Sequence, residues 1–154
     1  MIAIDFLKYQ HRLTYKVEKG KRYIYDLIRK NYLVQTPEEV VRQLVLVYLL
    51  EEKGYSKNRL SVERGLKVNS RSKRFDILVF DEQMGTFLLV ECKAPNVPVT
   101  QATFRQIASY NLPLKVRYLM VTNGIGTYCC EMDYSNGSFL FLNEVPAFPG
   151  ISSQ

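Results

Sequence analysis

The run Phe87-Leu88-Leu89-Val90-Glu91-Cys92-Lys93-Ala94-Pro95 constrains this chain more than any other segment. An apolar strand closes on a charged pair and is then stopped by a proline. Because strand side chains alternate between faces, Glu91 and Lys93 are neighbours on one face. Unpaired charges at the end of a buried run are costly, so either something sits beside them or the strand emerges into water there. The preceding segment bears on that choice. Arg74 to Phe80 reads as a strand with one acid, Asp76, near its start, and Asp81-Glu82-Gln83-Met84-Gly85 reads as a turn. A hairpin closed by that turn sets Asp76 nearly opposite Glu91, whereas Asp76 read alone is a polar strand-start residue. Two carboxylates held together repel unless a cation joins them, and hard oxygen donors suit Mg²⁺. A lysine two residues on can orient an attacking water or neutralise charge developing on a phosphate.

The other elements are placed around this pair. Thr36-Pro37-Glu38-Glu39 supplies an N-cap threonine, proline at the first helical position and glutamate at the third. Val40, Val41, Leu44, Val47 and Tyr48 continue at helical spacing, and Leu46, Leu49 and Leu50 widen the stripe, so a largely buried helix should run to about Gly54. Leu60 to Val68 reads as a first strand and Thr86 to Cys92 as the third. Thr100 caps a second helix with Phe104, Ile107 and Ala108 on its apolar face, ended by Pro113. Val116–Thr122, Thr127–Met132 and Phe139–Leu142 read as strands, the last two joined by the hairpin dipeptide Asn136-Gly137. Upstream, Glu18-Lys19-Gly20-Lys21 could turn a hairpin between Leu13–Val17 and Arg22–Tyr25. The order is helix, three strands, helix, strand, then extra strands: an α/β or α+β mixed sheet with helices packed on it. One domain is expected, with residues 1–35 a basic extension packed on 36–154.

Composition and charge narrow the classes. With 154 residues, 47% of them hydrophobic, the chain is one ordinary domain, neither disordered nor fibrous. Three cysteines, two of them adjacent, are too few for a disulfide scaffold; with no secretory leader, reduced thiols in the cytoplasm are expected. No apolar run reaches the ~20 residues a membrane helix needs. A single histidine, His11, sits in a polar stretch without a companion motif, which leaves chemistry to carboxylates, lysine and metal. The net charge is +6, and Lys57, Arg59, Arg64, Lys67, Arg71, Lys73 and Arg74 crowd one stretch against Glu63. Such a stretch is either a solvated face or a grip for phosphates.

Asp76 followed by Glu91-Cys92-Lys93 resembles the PD-(D/E)xK nuclease core, whose helix, three-strand, helix, strand order is the one read above. More specifically, the chain resembles the N-terminal nuclease domain of the type I restriction enzyme R subunit. Thr36-Pro37-Glu38-Glu39-Val40-Val41-Arg42-Gln43, Arg74-Phe75-Asp76, Glu91-Cys92-Lys93-Ala94-Pro95, Gln106-Ile107-Ala108-Ser109-Tyr110 and Val121-Thr122-Asn123-Gly124 carry the likeness, in order and spacing.

The resemblance implies a restriction-endonuclease-like fold and metal-dependent hydrolysis of DNA. Asp76 and Glu91 would hold Mg²⁺ or Mn²⁺ with the Cys92 backbone carbonyl, and Lys93 would be the catalytic lysine. Glu39 matches an acid that some relatives add to the metal, though Thr36-x-x-Glu39 is also a capping box. Gln106 and Tyr110 match a Q-x-x-x-Y element that supports the site or contacts DNA; the alternative is a solvent-facing helix flank. Arg71, Lys73 and Arg74 would grip phosphates. Phe75 stands where the pattern usually has proline. No G-x-x-x-x-G-K-[ST] loop occurs, so ATP use and translocation are not carried over. The rival expectation is a non-catalytic nucleic-acid-binding or assembly module that keeps the fold. RNA stays open as a substrate, and restriction or repair proteins as partners. Cutting both strands with one site per chain would favour a homodimer.

Overall fold

The computed structural model describes residues 1–62, 65–68 and 71–149, those of 65–68 and 71–74 by backbone alone. Three strands, β1 (Tyr15–Glu18), β2 (Lys21–Asp26) and β3 (Asn31–Val34), form an antiparallel sheet before the first helix, α1 (Pro37–Glu51). Short strands β4 (Leu60–Val62), β5 (Gly65–Val68) and β6 (Arg71–Arg74) follow, then β7 (Ile77–Phe80), β8 (Thr86–Cys92), helix α2 (Gln101–Asn111), β9 (Tyr118–Thr122), β10 (Thr127–Asp133) and β11 (Ser138–Phe141). The main sheet runs β11-β10-β9-β8-β7-β4, and its β8–β9 pair is parallel while the rest are antiparallel. This is a mixed α+β fold in which α2 makes the crossover that a parallel pair requires.

Both helices start where their sequences direct. Thr36 Oγ1 accepts the Glu39 N–H at 3.1 Å and Thr100 Oγ1 accepts the Thr103 N–H at 3.1 Å, each satisfying an N–H that the helix itself leaves open. The sheet alternates into two cores. Leu88, Val90 and Cys92 of β8 pack toward α1 with Val41, Val45, Ile77, Val79 and Met120. Leu89 packs toward α2 with Leu78, Phe104, Ala108, Leu119 and Val121. Covering on both faces is why β8 reads as an unbroken apolar run. The N-terminal segment joins the first core: Phe6 and Tyr9 set their rings edge-on to Tyr48 of α1, at centroid distances of 5.4 and 6.2 Å. Among the described residues no helix is long and apolar enough to cross a membrane.

Two expectations need correction. Leu60–Val68 is not one strand: β4 pairs with β7 in the main sheet, whereas β5 pairs only with β6 as a separate two-stranded hairpin. Arg74–Phe80 likewise divides, so that Asp76 lies in a bend between β6 and β7 and not in a strand. The physical reason is polarity. Arg71-Ser72-Lys73-Arg74 cannot enter a ladder buried on both faces, so the sheet takes only Ile77–Phe80. Arg64 lies outside the described residues, as do the side chains of Lys67, Arg71, Lys73 and Arg74. β3 was missed, because Asn31–Val34 is too short for alternation to show.

Candidate active site

The alternation that buries Leu89 against α2 carries Glu91 and Lys93 to the same face. There they line an open groove of about 610 Å³ whose opposite wall is α2: Thr103, Gln106, Ile107, Ser109, Tyr110 and Asn111. Gln106 and Tyr110 therefore meet the Glu91–Lys93 pair, as an i, i+4 flank turned to the groove. The loop between them is pinned from β9. Lys93 N–H donates to Thr122 O at 2.8 Å, and Asn123 Nδ2 donates to Val97 O at 2.8 Å.

Asp76 is reached by register. Ile77 is paired with Val90, so the next step outward sets Asp76 against Glu91, and the Glu91 carboxyl lies within hydrogen-bond reach of it. A bulge at Val79/Phe80 absorbs the turn beyond without disturbing that pairing. Asp76 is not among the residues that line the groove. Both of its oxygens accept from the protein: Oδ2 from the Cys92 N–H at 2.7 Å, Oδ1 from Arg42 Nη2 at 2.6 Å.

Arg42 is the residue that sequence reasoning missed. It is 2% exposed on α1 and joins Asp76 to Glu39, whose Oε1 accepts from Nη1, with Glu38 3.6 Å from Nη2. Glu39, read as either a capping residue or a metal ligand, completes the Thr36 cap through its N–H, while its carboxylate accepts from Arg42 and from Gln43 Nε2 at 3.2 Å. Gln43 Oε1 in turn accepts the Leu27 N–H at 3.2 Å, so one polar chain runs from the N-terminal sheet through α1 to Asp76. The signal was present in the sequence: Arg42 and Gln43 interrupt the apolar stripe of a buried helix, and buried charges are paired. Asn111 was also missed; it is 3% exposed, and its Oδ1 has no hydrogen-bond partner among the described residues.

Electrostatics follow from the crowding. Burial and then the Asp76 charge push the Glu91 carboxyl up to about 7, against the pull of Lys93. Burial would lower the Arg42 guanidinium, but Asp76 and Glu39 outweigh it and its pKa rises. Burial, followed by Asp76, holds the Cys92 thiol well above its ordinary value, so it is no nucleophile. Among the described residues no three His, Cys, Asp or Glu side chains converge as a ready metal cage. Asp76 and Glu91 are the pair whose chemistry fits a hard divalent cation: two carboxyls side by side, which a cation between them would relieve.

The family model for the type I restriction enzyme R protein N terminus (HSDR_N) matches residues 37–146. The chain belongs to this family. The fragment structure of an HsdR subunit of a type I restriction enzyme from Vibrio vulnificus YJ016 shares its fold, with TM-score 0.50 and 24% identity over 73% of this chain. The likeness takes in 24% of that HsdR chain, so the shared fold is a fraction of its length. No curated protein matches. Within an HSDR_N domain the two helices, the β7–β8 hairpin and β9 all fall inside the matched residues, whereas β1, β2 and β3 precede them.

Proposed function

We propose that the domain is a metal-dependent deoxyribonuclease that hydrolyses phosphodiester bonds. The observation that carries this reading is the contact between Asp76 and Glu91 at the end of β8, with Lys93 beside them on the wall of an open groove. Membership in the family of type I restriction enzyme R protein N termini supports it. Asp76 and Glu91, with the Cys92 carbonyl, would hold Mg²⁺ or Mn²⁺. When bound, such a cation supplies Lewis-acid stabilisation of charge on the scissile phosphate. The chain's own groups do the rest. Arg42 and the Cys92 N–H orient Asp76, Lys93 brings a positive charge to the attacked phosphate and its water, and Gln106 and Tyr110 contact the strand from across the groove. DNA would be the substrate, held by phosphate contacts that position without reading sequence.

A second reading has its own observation. Both Asp76 oxygens and the Glu39 carboxylate are already committed to protein donors, as a non-catalytic nucleic-acid-binding module would have them. One experiment separates the two: supercoiled plasmid incubated with the protein and Mg²⁺ or Mn²⁺, beside Asp76→Ala and Lys93→Ala. Cutting that needs the metal and disappears in both variants supports the nuclease. Salt-sensitive binding without cutting supports the module, and cutting that survives both substitutions removes the site assignment.

A further inference from the structure

The sheet β1-β2-β3 has two unlike faces. Strand alternation and register place Ile24 and Asp26 on one, both fully buried. On the other stand Lys16, Lys21, Tyr23, Tyr25, Tyr32 and Val34, none of them buried. On that outer face the side chains enclose a shallow concavity of about 490 Å³. Lys16 Nζ lies 4.4 Å from the Tyr32 ring centroid and 5.6 Å from that of Tyr23, so its ammonium covers both rings on the concave side and a stacking base would take its place. Tyr25 backs Tyr32 edge-on at 5.2 Å and holds its ring plane.

The hairpin tip adds a second observation. Lys19 and Gly20 form the two-residue turn with φ of +51° and +78°. That turn sets the Lys19 side chain at the tip, in a backbone region that asparagine or glycine enters more freely and that Lys30 and Lys115 also adopt. Lys19 and Lys21 both border the concavity, with Glu18 as its one acid, already paired to Lys16 at 3.1 Å.

We propose that this outer face binds single-stranded nucleic acid, with bases stacked on Tyr23 and Tyr32 in place of the Lys16 ammonium and phosphates held by Lys19 and Lys21. Aromatic rings interleaved with cations on an open sheet meet both needs of a single strand: a π-face for bases, and positive charge along the backbone. A duplex, whose bases are already stacked, can use only the lysines. The site lies outside the matched residues 37–146 and is distinct from the groove at Glu91, although the Leu27–Gln43–Glu39–Arg42 chain links the two regions.

The test is fluorescence anisotropy of the full chain with a fluorescein-labelled oligo-dT and with a duplex of equal length, in EDTA so that no cleavage intervenes. Tyr23→Ala and Tyr32→Ala should each weaken oligo-dT binding about tenfold and leave the duplex within about twofold, while Tyr32→Phe binds like wild type. Lys19→Gln and Lys21→Gln should each reduce the salt slope on oligo-dT by about 0.7. Circular dichroism confirms that each variant is folded. Unchanged oligo-dT affinity in both alanine variants overturns the proposal, as does equal loss on duplex and single strand. Displacement of oligo-dT by polyglutamate together with indifference to the tyrosines would assign the face to acidic protein and also overturn it. Because binding is read without metal, failure here leaves the cleavage reading standing, and failure of cleavage leaves this one.

Discussion

At the residue scale the decisive group is Arg42. A guanidinium 2% exposed between Glu39 and Asp76 has traded water for two carboxylates, and removing it leaves both without their cation. Arg42→Ala should therefore cost about 3–5 kcal/mol of stability, measured by urea unfolding at pH 7. Glu91 behaves in the opposite sense to a salt-bridged acid. Its carboxyl is pushed from 4.5 to about 7, so between those values the folded protein holds a proton that the unfolded chain has released. The stabilisation is complete below about 4.5 and is lost as pH rises through about 7. Metal-free wild type should thus lose on the order of 2 kcal/mol across that window relative to Glu91→Gln, in urea titrations at pH 5 and pH 8. A parallel pH dependence in the two proteins would show that Glu91 ionises freely.

At the element scale, the turn between β9 and β10 ties the site's supports together. Asn123 Oδ1 accepts the Ile125 and Gly126 N–H groups at 2.9 and 2.7 Å while its Nδ2 holds Val97 O. Gly124 sits there with φ +87°, and a Cβ would approach Val41 Cγ2 of α1 at 3.3 Å. Gly124→Ala should cost roughly 1–2 kcal/mol through both the left-handed backbone and the crowding of α1, measured by thermal unfolding. Thr36→Ala should cost about 1 kcal/mol, because the Glu39 N–H loses its acceptor. Capping signals made both helices legible, and Asn136-Gly137, with Gly137 at φ +63°, made the last hairpin so. The β5–β6 hairpin was not legible. Its strands are four residues each, with β6 polar throughout, and local pattern does not say which of two sheets so short a strand will join.

At the scale of the whole molecule, two cores on the two faces of one sheet hold the site rigid. Leu89 is fully buried under α2, directly between the strand that carries Glu91 and the helix that carries Gln106 and Tyr110. Leu89→Ala should cost about 2–5 kcal/mol in urea unfolding and loosen the groove as well. The sequence by itself determined the two helices, the strand ending in Glu91-Cys92-Lys93 and the turn that sets Asp76 against Glu91, because each rests on contacts between residues close in the chain. It also carried the family likeness. Only the tertiary structure decided that α2 turns Gln106 and Tyr110 into a groove with Glu91 and Lys93. The same holds for Arg42, which reaches across 34 positions to Asp76, and for the N-terminal sheet, which presents tyrosines and lysines on one open face. Those facts depend on how separate elements pack, and packing is settled by the burial of whole faces against one another, which no local periodicity records.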